Sequence, residues 1–192
     1  MENHKRNTRS RDDSTAAIRA GRRCFVALAP DTDARMQLDA IARRLHARFP
    51  KARCVDAGNL HLTLAFIGQL DPDRMRALAD ALRHGIADEF IWTIDRIGSF
   101  PRAGVVWAGG TSNPNLDARA NEVRALLDRL CIPFDRKRFA PHVTLLRARA
   151  PFPPDQSCDA IEWRVDRPRL FVSERDAADR IRYRPCDANP GD

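Results

Sequence analysis

The chain has 192 residues, a formal net charge of +7 and 43% hydrophobic residues, and nearly all of its 33 cations are Arg rather than Lys. That length suits one sizeable domain with a packed interior. The absence of a long apolar run or a charged-then-apolar leader excludes a membrane span and predicts a soluble, cytoplasmic protein, with a monomer as the default because the sequence is silent on oligomeric state.

Five cysteines, odd in number and without a Cys-x-x-Cys spacing, argue for reduced thiols and against a disulfide framework or a thiolate zinc site. The Arg surplus suits planar, two-point contacts with phosphate oxygens, which favours phosphorylated or nucleic-acid ligands over neutral ones.

Residues 1 to 21 are polar and basic without periodic apolar positions, which predicts a disordered tail. A folded domain is expected over 22 to 186 and a short second tail over 187 to 192. Cys24 to Leu28 reads as a strand, followed by a helix from Asp31 whose Ala34, Leu38, Ile41 and Leu45 share one face until Pro50 stops it. A strand is expected from Leu60 to Ile67, then a helix opened by Asp71 and Pro72 with Met75, Leu78, Leu82 and Ile86 as its stripe. Two strands, Phe90 to Ile97 and Gly104 to Ala108, flank a turn around Ser99, Phe100 and Pro101. Asn113 and Pro114 begin a third helix with Leu116, Ala120, Val123, Leu127 and Leu130 inward. The remaining expected strands run from Pro141 to Arg147, Arg169 to Ser173 and Ile181 to Arg184. The order is mixed α/β, with no glycine-rich phosphate loop.

Two of these strands carry one pattern, His61-Leu62-Thr63-Leu64 and His142-Val143-Thr144-Leu145. Five His and seven Thr placed at random in this chain give roughly 0.2 His-x-Thr triplets, so two in apolar strands are unlike chance. Alternation puts each His and its Thr on one face and the aliphatic residues on the other. Each histidine strand also follows a long amphipathic helix, a hint of internal duplication that would set the strands face to face across a cleft. Two imidazoles facing one substrate can divide acid and base roles, as in-line displacement at phosphorus requires, with the Thr hydroxyls holding non-bridging oxygens. The plainer alternative is that each histidine ends a strand with its ring satisfied by a backbone carbonyl. A metal site is the second rival, but no Asp, Glu or Cys lies at ligand spacing beside either histidine. His4 falls in the tail, and His46 and His84 near helix ends.

The segments Arg23 to Leu28, Asn59 to Gly68, Gly98 to Pro101, Val106 to Gly109 and Phe139 to Leu145 with Arg147 follow one another in an order that resembles the two-histidine (2H) phosphoesterase superfamily. The resemblance is to its bacterial RNA 2′,3′-cyclic phosphodiesterases, historically called 2′-5′ RNA ligases, and it extends over about residues 22 to 186. It implies an α+β, bilobal, pseudo-two-fold fold with two antiparallel sheets around a central cleft and helices outside. It also implies cofactor-free, metal-independent hydrolysis of terminal 2′,3′-cyclic phosphates on RNA or cyclic nucleotides to 2′-phosphates, with reverse 2′-5′ ligation as a related activity.

By the same resemblance His61 is the acid for the leaving 3′ oxygen and His142 the base for water, although a pseudo-symmetric pair admits the opposite assignment. Thr63, Thr144 and Arg147 would contact the phosphate. Strand parity opposes Arg147, because an offset of five from His142 points away from the cleft unless the chain bends or bulges. Ala65 departs from the many relatives that carry Lys there, and the short Phe100 to Gly104 connection shapes one end of the cleft. Phe25, Phe139 and Phe171 are candidates for base stacking or for the core. A non-enzymatic alternative is an RNA-binding module that keeps the cleft without turnover.

Overall fold

The structure, a computed structural model, describes residues 21–85, 88–111, 113–149 and 152–186. Apart from Gly21, the expected tails therefore lie outside the described residues, as does Ile86, expected on the second helix. Strand β1 (Arg22–Leu28) leads into helix α1 (Thr32–Arg48). Asp31 caps that helix by accepting the Ala34 N–H at 2.9 Å, and its other carboxylate oxygen accepts the N–H of Arg164 at 2.8 Å. A short strand, β2 (Arg53–Cys54), and a 3-10 turn (Ala57–Asn59) precede β3 (Leu62–Leu70). Helix α2 (Pro72–Gly85) is capped by Asp71, which accepts from the N–H groups of Asp73 and Arg74. Next come β4 (Phe90–Phe100), a turn at Pro101–Ala103, β5 (Val105–Gly109) and helix α3 (Pro114–Arg129) with Asn113 as its cap. The chain ends in β6 (Val143–Arg147), β7 (Gln156–Val165), β8 (Arg169–Arg175) and β9 (Ile181–Pro185).

The strands lie in the order β7-β4-β5-β6-β3-β1-β8-β9, with β2 pairing β6 off this path, and every pairing is antiparallel. Two lobes are joined in the middle by very little: the ladder between β3 and β6 consists of the single pair Leu62 and Val143. The two expected sheets are thus continuous through one rung. The helices are exchanged across this seam. Helix α1 leaves β1 on one side and packs on β6 and β7 of the other, whereas α3 leaves β5 and packs back on β3. Helix α2 packs on β8.

Alternation along the strands separates two cores. Cys24, Val26 and Leu28 of β1 enter the main core beneath the helices, together with Leu170 and Val172 of β8. Phe25, Ala27 and Phe171 point to the opposite, concave face and form a second cluster with Tyr183. Strand β7 was not announced by the sequence. Its second half alternates Ile161, Trp163 and Val165 inward with exposed Glu162 and Arg164, but its first half is polar and exposed at most positions. No helix among the described residues is long and apolar enough to cross a membrane.

Candidate active site

The single rung between β3 and β6 places the paired motif. Leu62 and Val143 are fully buried on the helix side, so their neighbours in sequence face the concave side. Carrying the antiparallel register one residue each way puts His61 opposite Thr144 and Thr63 opposite His142. The two histidines are then diagonal neighbours on one face, a spacing of roughly 7–8 Å between backbone positions that leaves room for one phosphoryl group between the rings. Neither histidine lies within the regular strand. Each stands one residue before it, where the backbone carbonyl of residue i−2 turns towards the ring.

Those carbonyls fix both tautomers. His61 Nδ1 lies 2.6 Å from the Asn59 carbonyl oxygen and His142 Nδ1 lies 2.7 Å from the Ala140 carbonyl oxygen. A carbonyl only accepts, so each Nδ1 carries the hydrogen and donates, and each Nε2 is left with a lone pair when the ring is neutral. The carbonyl contact expected of a strand-ending histidine is therefore present, but it occupies one nitrogen only. The His61 ring packs against Phe25 with centroids 4.8 Å apart and meets Tyr183 edge-on at 5.0 Å. The His142 ring meets Phe100 edge-on at 5.1 Å.

Burial pushes the His61 pKa down to about 4, and the charges of His142 and Arg147 push it the same way. His142 is also lowered, by burial first and then by Arg147. Both rings are thus near enough to Arg147 to sense its charge, which answers the parity objection. Strand β6 slips by one residue against β5 between Thr144, opposite Trp107, and Leu146, opposite Val106. Leu145 is the bulged residue, and Leu145 and Leu146 are buried in succession. Arg147 returns to the concave side and lines the cleft with His61 and Thr144. The same slip recurs in β3, where Thr63 pairs Ala27 and Ala65 pairs Val26, so that Leu64 is skipped. Leu64 and Ala65 are both buried and Phe66 emerges at 56% exposure, in the position equivalent to Arg147. Ala65, where the resemblance anticipated Lys, is a core residue.

The cleft beside His61 has a volume of about 200 Å³ and is lined further by Arg53, Asp56, Asn59 and Tyr183. His142 is outside this lining, across the Leu62–Val143 rung beside Phe100. Of the candidate stacking rings, Phe25 and Phe171 stack on each other at 5.6 Å behind His61, and Phe139 packs against the main core.

Three contributors lay beyond the motif. Asn59 has two roles: its carbonyl holds His61, while its side chain donates to the Ile181 carbonyl at 2.8 Å and accepts from the Tyr183 N–H at 3.0 Å. Its place two residues before His61 was the available signal, but Ala140 fills the equivalent place before His142. Tyr183 comes from the last strand and Arg53 from a two-residue strand, neither with any local pattern to mark it. Among the described residues no group of three or more His, Cys, Asp or Glu is placed to hold a metal ion.

Comparison with known proteins agrees with this geometry. Residues 28–107 match a family model described as LigT like phosphoesterase. An RNA 2′,3′-cyclic phosphodiesterase of Escherichia coli is 36% identical over 106 residues, 55% of this chain and 60% of that protein, so the alignment spans under two thirds of the relative. One from Thermotoga maritima is 29% identical over 164 residues, covering 79% of this chain and 86% of the relative. The crystal structure of E. coli LigT complexed with 3′-AMP superposes with a TM-score of 0.73 at 31% identity, over 86% of this chain and 95% of that one. Together with the two bulged His-x-Thr strands on either side of one rung, these likenesses establish that the chain belongs to the LigT-like phosphoesterase family.

Proposed function

We infer that the chain is a metal-independent RNA 2′,3′-cyclic phosphodiesterase that opens terminal cyclic phosphates to 2′-phosphates by acid-base catalysis between His61 and His142. The observation that carries this reading is the Leu62–Val143 rung, which sets each histidine beside the other motif's threonine on one concave face. With a cyclic phosphate between the rings, the lone pair on His142 Nε2 takes a proton from water as its oxygen attacks phosphorus. The bond from phosphorus to O3′ breaks, and the proton on His61 Nε2 passes to O3′. The products are a 2′-phosphate and a 3′-hydroxyl, with one proton moved from His61 to His142. Thr63, Thr144 and Arg147 hold the non-bridging oxygens as charge develops. A 5′-hydroxyl in place of water would give a 2′-5′ linkage by the same exchange, which supports ligation as a minor activity.

The acid must be charged, yet burial above all holds His61 neutral at pH 7. The substrate anion offsets the charge of Arg147, one cause of that depression, and so helps to load the proton when it is needed. Turnover of a 2′,3′-cyclic nucleotide in EDTA tests the reading. His61→Ala and His142→Ala should each lower kcat by about 10²–10⁴-fold. A strict metal requirement would contradict it. Salt-sensitive RNA binding that survives both substitutions, with no product formed, would favour the non-catalytic binding module instead.

A further inference from the structure

Next to the cleft the surface opens into a wider basin whose cations are Lys51, Arg53, Arg102, Arg147 and Arg149, with Phe152 in its wall and no carboxylate. Arg53 and Arg147 line both spaces, so the basin begins where the reacting phosphate would sit. Elsewhere many Arg side chains are neutralised locally by an Asp or Glu three or four residues away, as in Arg43 with Asp39, Arg76 with Asp73 and Arg180 with Asp176. None of the five basin cations has an ion-pair partner among the described residues.

Two of them are also forced together. Arg53 of β2 stands directly opposite Arg147 of β6, a cross-strand placement in which like charges destabilise the ladder. The walls are pinned rather than loose, because Ala148 donates its N–H to the Gly104 carbonyl at 3.0 Å. Gly104 has φ of 65°, and a Cβ there would stand 2.8 Å from the Ala148 carbonyl oxygen. Glycine is therefore what lets the Arg102 turn approach the segment bearing Arg149. A preformed, uncompensated set of guanidinium forks continuous with a phosphate site matches a chain of phosphates better than scattered carboxylates.

We propose that this basin is the track of the RNA strand leading to the cyclic end, so that the preferred substrates are oligonucleotide ends rather than cyclic mononucleotides. Lys51, Arg53, Arg102 and Arg149 meet the phosphodiesters preceding the terminal nucleotide, and Arg147 stays with the reacting group. The proposal rests on the phosphodiesterase reading of the cleft.

The test compares a hexanucleotide ending in a 2′,3′-cyclic phosphate with a 2′,3′-cyclic mononucleotide. Each single-strand phosphate contact contributes a slope of about −0.7 in log affinity against log salt. Five contacts, the four of the track and Arg147, lower the hexanucleotide kcat/KM about 130-fold between about 50 and 200 mM monovalent salt, against about threefold for a mononucleotide that meets Arg147 alone. Arg102→Gln combined with Arg149→Gln should reduce the hexanucleotide's salt response to about 20-fold and leave mononucleotide kcat/KM unchanged. Fluorescence anisotropy of a labelled hexanucleotide ending in a 2′-phosphate should lose affinity in parallel, a readout independent of turnover. A hexanucleotide used no better than the mononucleotide, or a salt response indifferent to the double substitution, overturns the track while leaving the cleft chemistry standing. Heparin binding without any oligonucleotide preference assigns the basin to another polyanion and also overturns it. Failure to turn over the mononucleotide at all brings down the phosphodiesterase reading and the track with it.

Discussion

The packing that seats His61 between Phe25 and Tyr183 also sets its proton affinity. In-line cleavage needs one imidazole charged and one neutral, and both rings lie below the ordinary 6.5, His61 at about 4. The kcat/KM for a cyclic substrate should therefore be highest on the acid side of pH 6.5 and fall about tenfold per pH unit above the upper pKa. A profile level from about pH 5 to 8 would contradict the depressed pair. Stability carries the opposite sign. The unfolded ring takes up its proton near pH 6.5 but the folded one only near 4, so the unfolded chain binds more protons between those values. The contribution of the neutral, buried ring is complete above 6.5 and is lost as pH falls towards 4, an effect of roughly 3 kcal/mol. Urea midpoints measured from neutral to acid pH should drop less in His61→Gln than in the parent, and equal drops would refute the assignment.

Among the elements, the bulges decide which side chains reach the cleft. The concave face of β4 and β5 depends on one small residue, because a Cβ at Gly98 would stand 2.3 Å from the Trp107 ring. Trp107 pairs with Thr144 and lies 5.3 Å from Phe100, the ring that supports His142. Gly98→Ala should thus displace the indole, cost about 1–3 kcal/mol in thermal or urea unfolding, and lower kcat. Unchanged stability and turnover would show that Trp107 moves freely. Much of this level was legible in the sequence: the capped helices, the strand-helix order and the shared face of each His-x-Thr pair follow from residue spacing alone. His46 and His84 fall in the last turns of α1 and α2, as their positions suggested. The location of the bulge was not legible, because a register slip belongs to two strands and only the demand for one could be read, from Arg147. β7 escaped for a related reason. Its polar first half lies where β4 is also irregular, with a slip between Ile94 and Arg96.

Across the whole molecule the lobes meet at one backbone rung, reinforced by the exchanged helices and the shared core. A ligand gripped by residues of both β3 and β6 ties the lobes together, so it should stabilise the molecule as one unit. A nucleoside 2′-phosphate at about 100 times its Kd adds about 2.7 kcal/mol and raises Tm by roughly 5–10 °C in a single transition. Arg147→Met should remove most of that shift in a thermal melt, and an undiminished shift would place the anion elsewhere. The joining of the lobes could not be read from the sequence, since nothing in either motif specifies how many residues the two strands share. Finally, the first histidine is oriented through Asn59, whose side chain is held by backbone groups of Ile181 and Tyr183, close to the last described residue. An imidazole encoded in the first third of the polypeptide is thus held in place only once β9 has docked, and Asn59→Ala should loosen it without touching either motif.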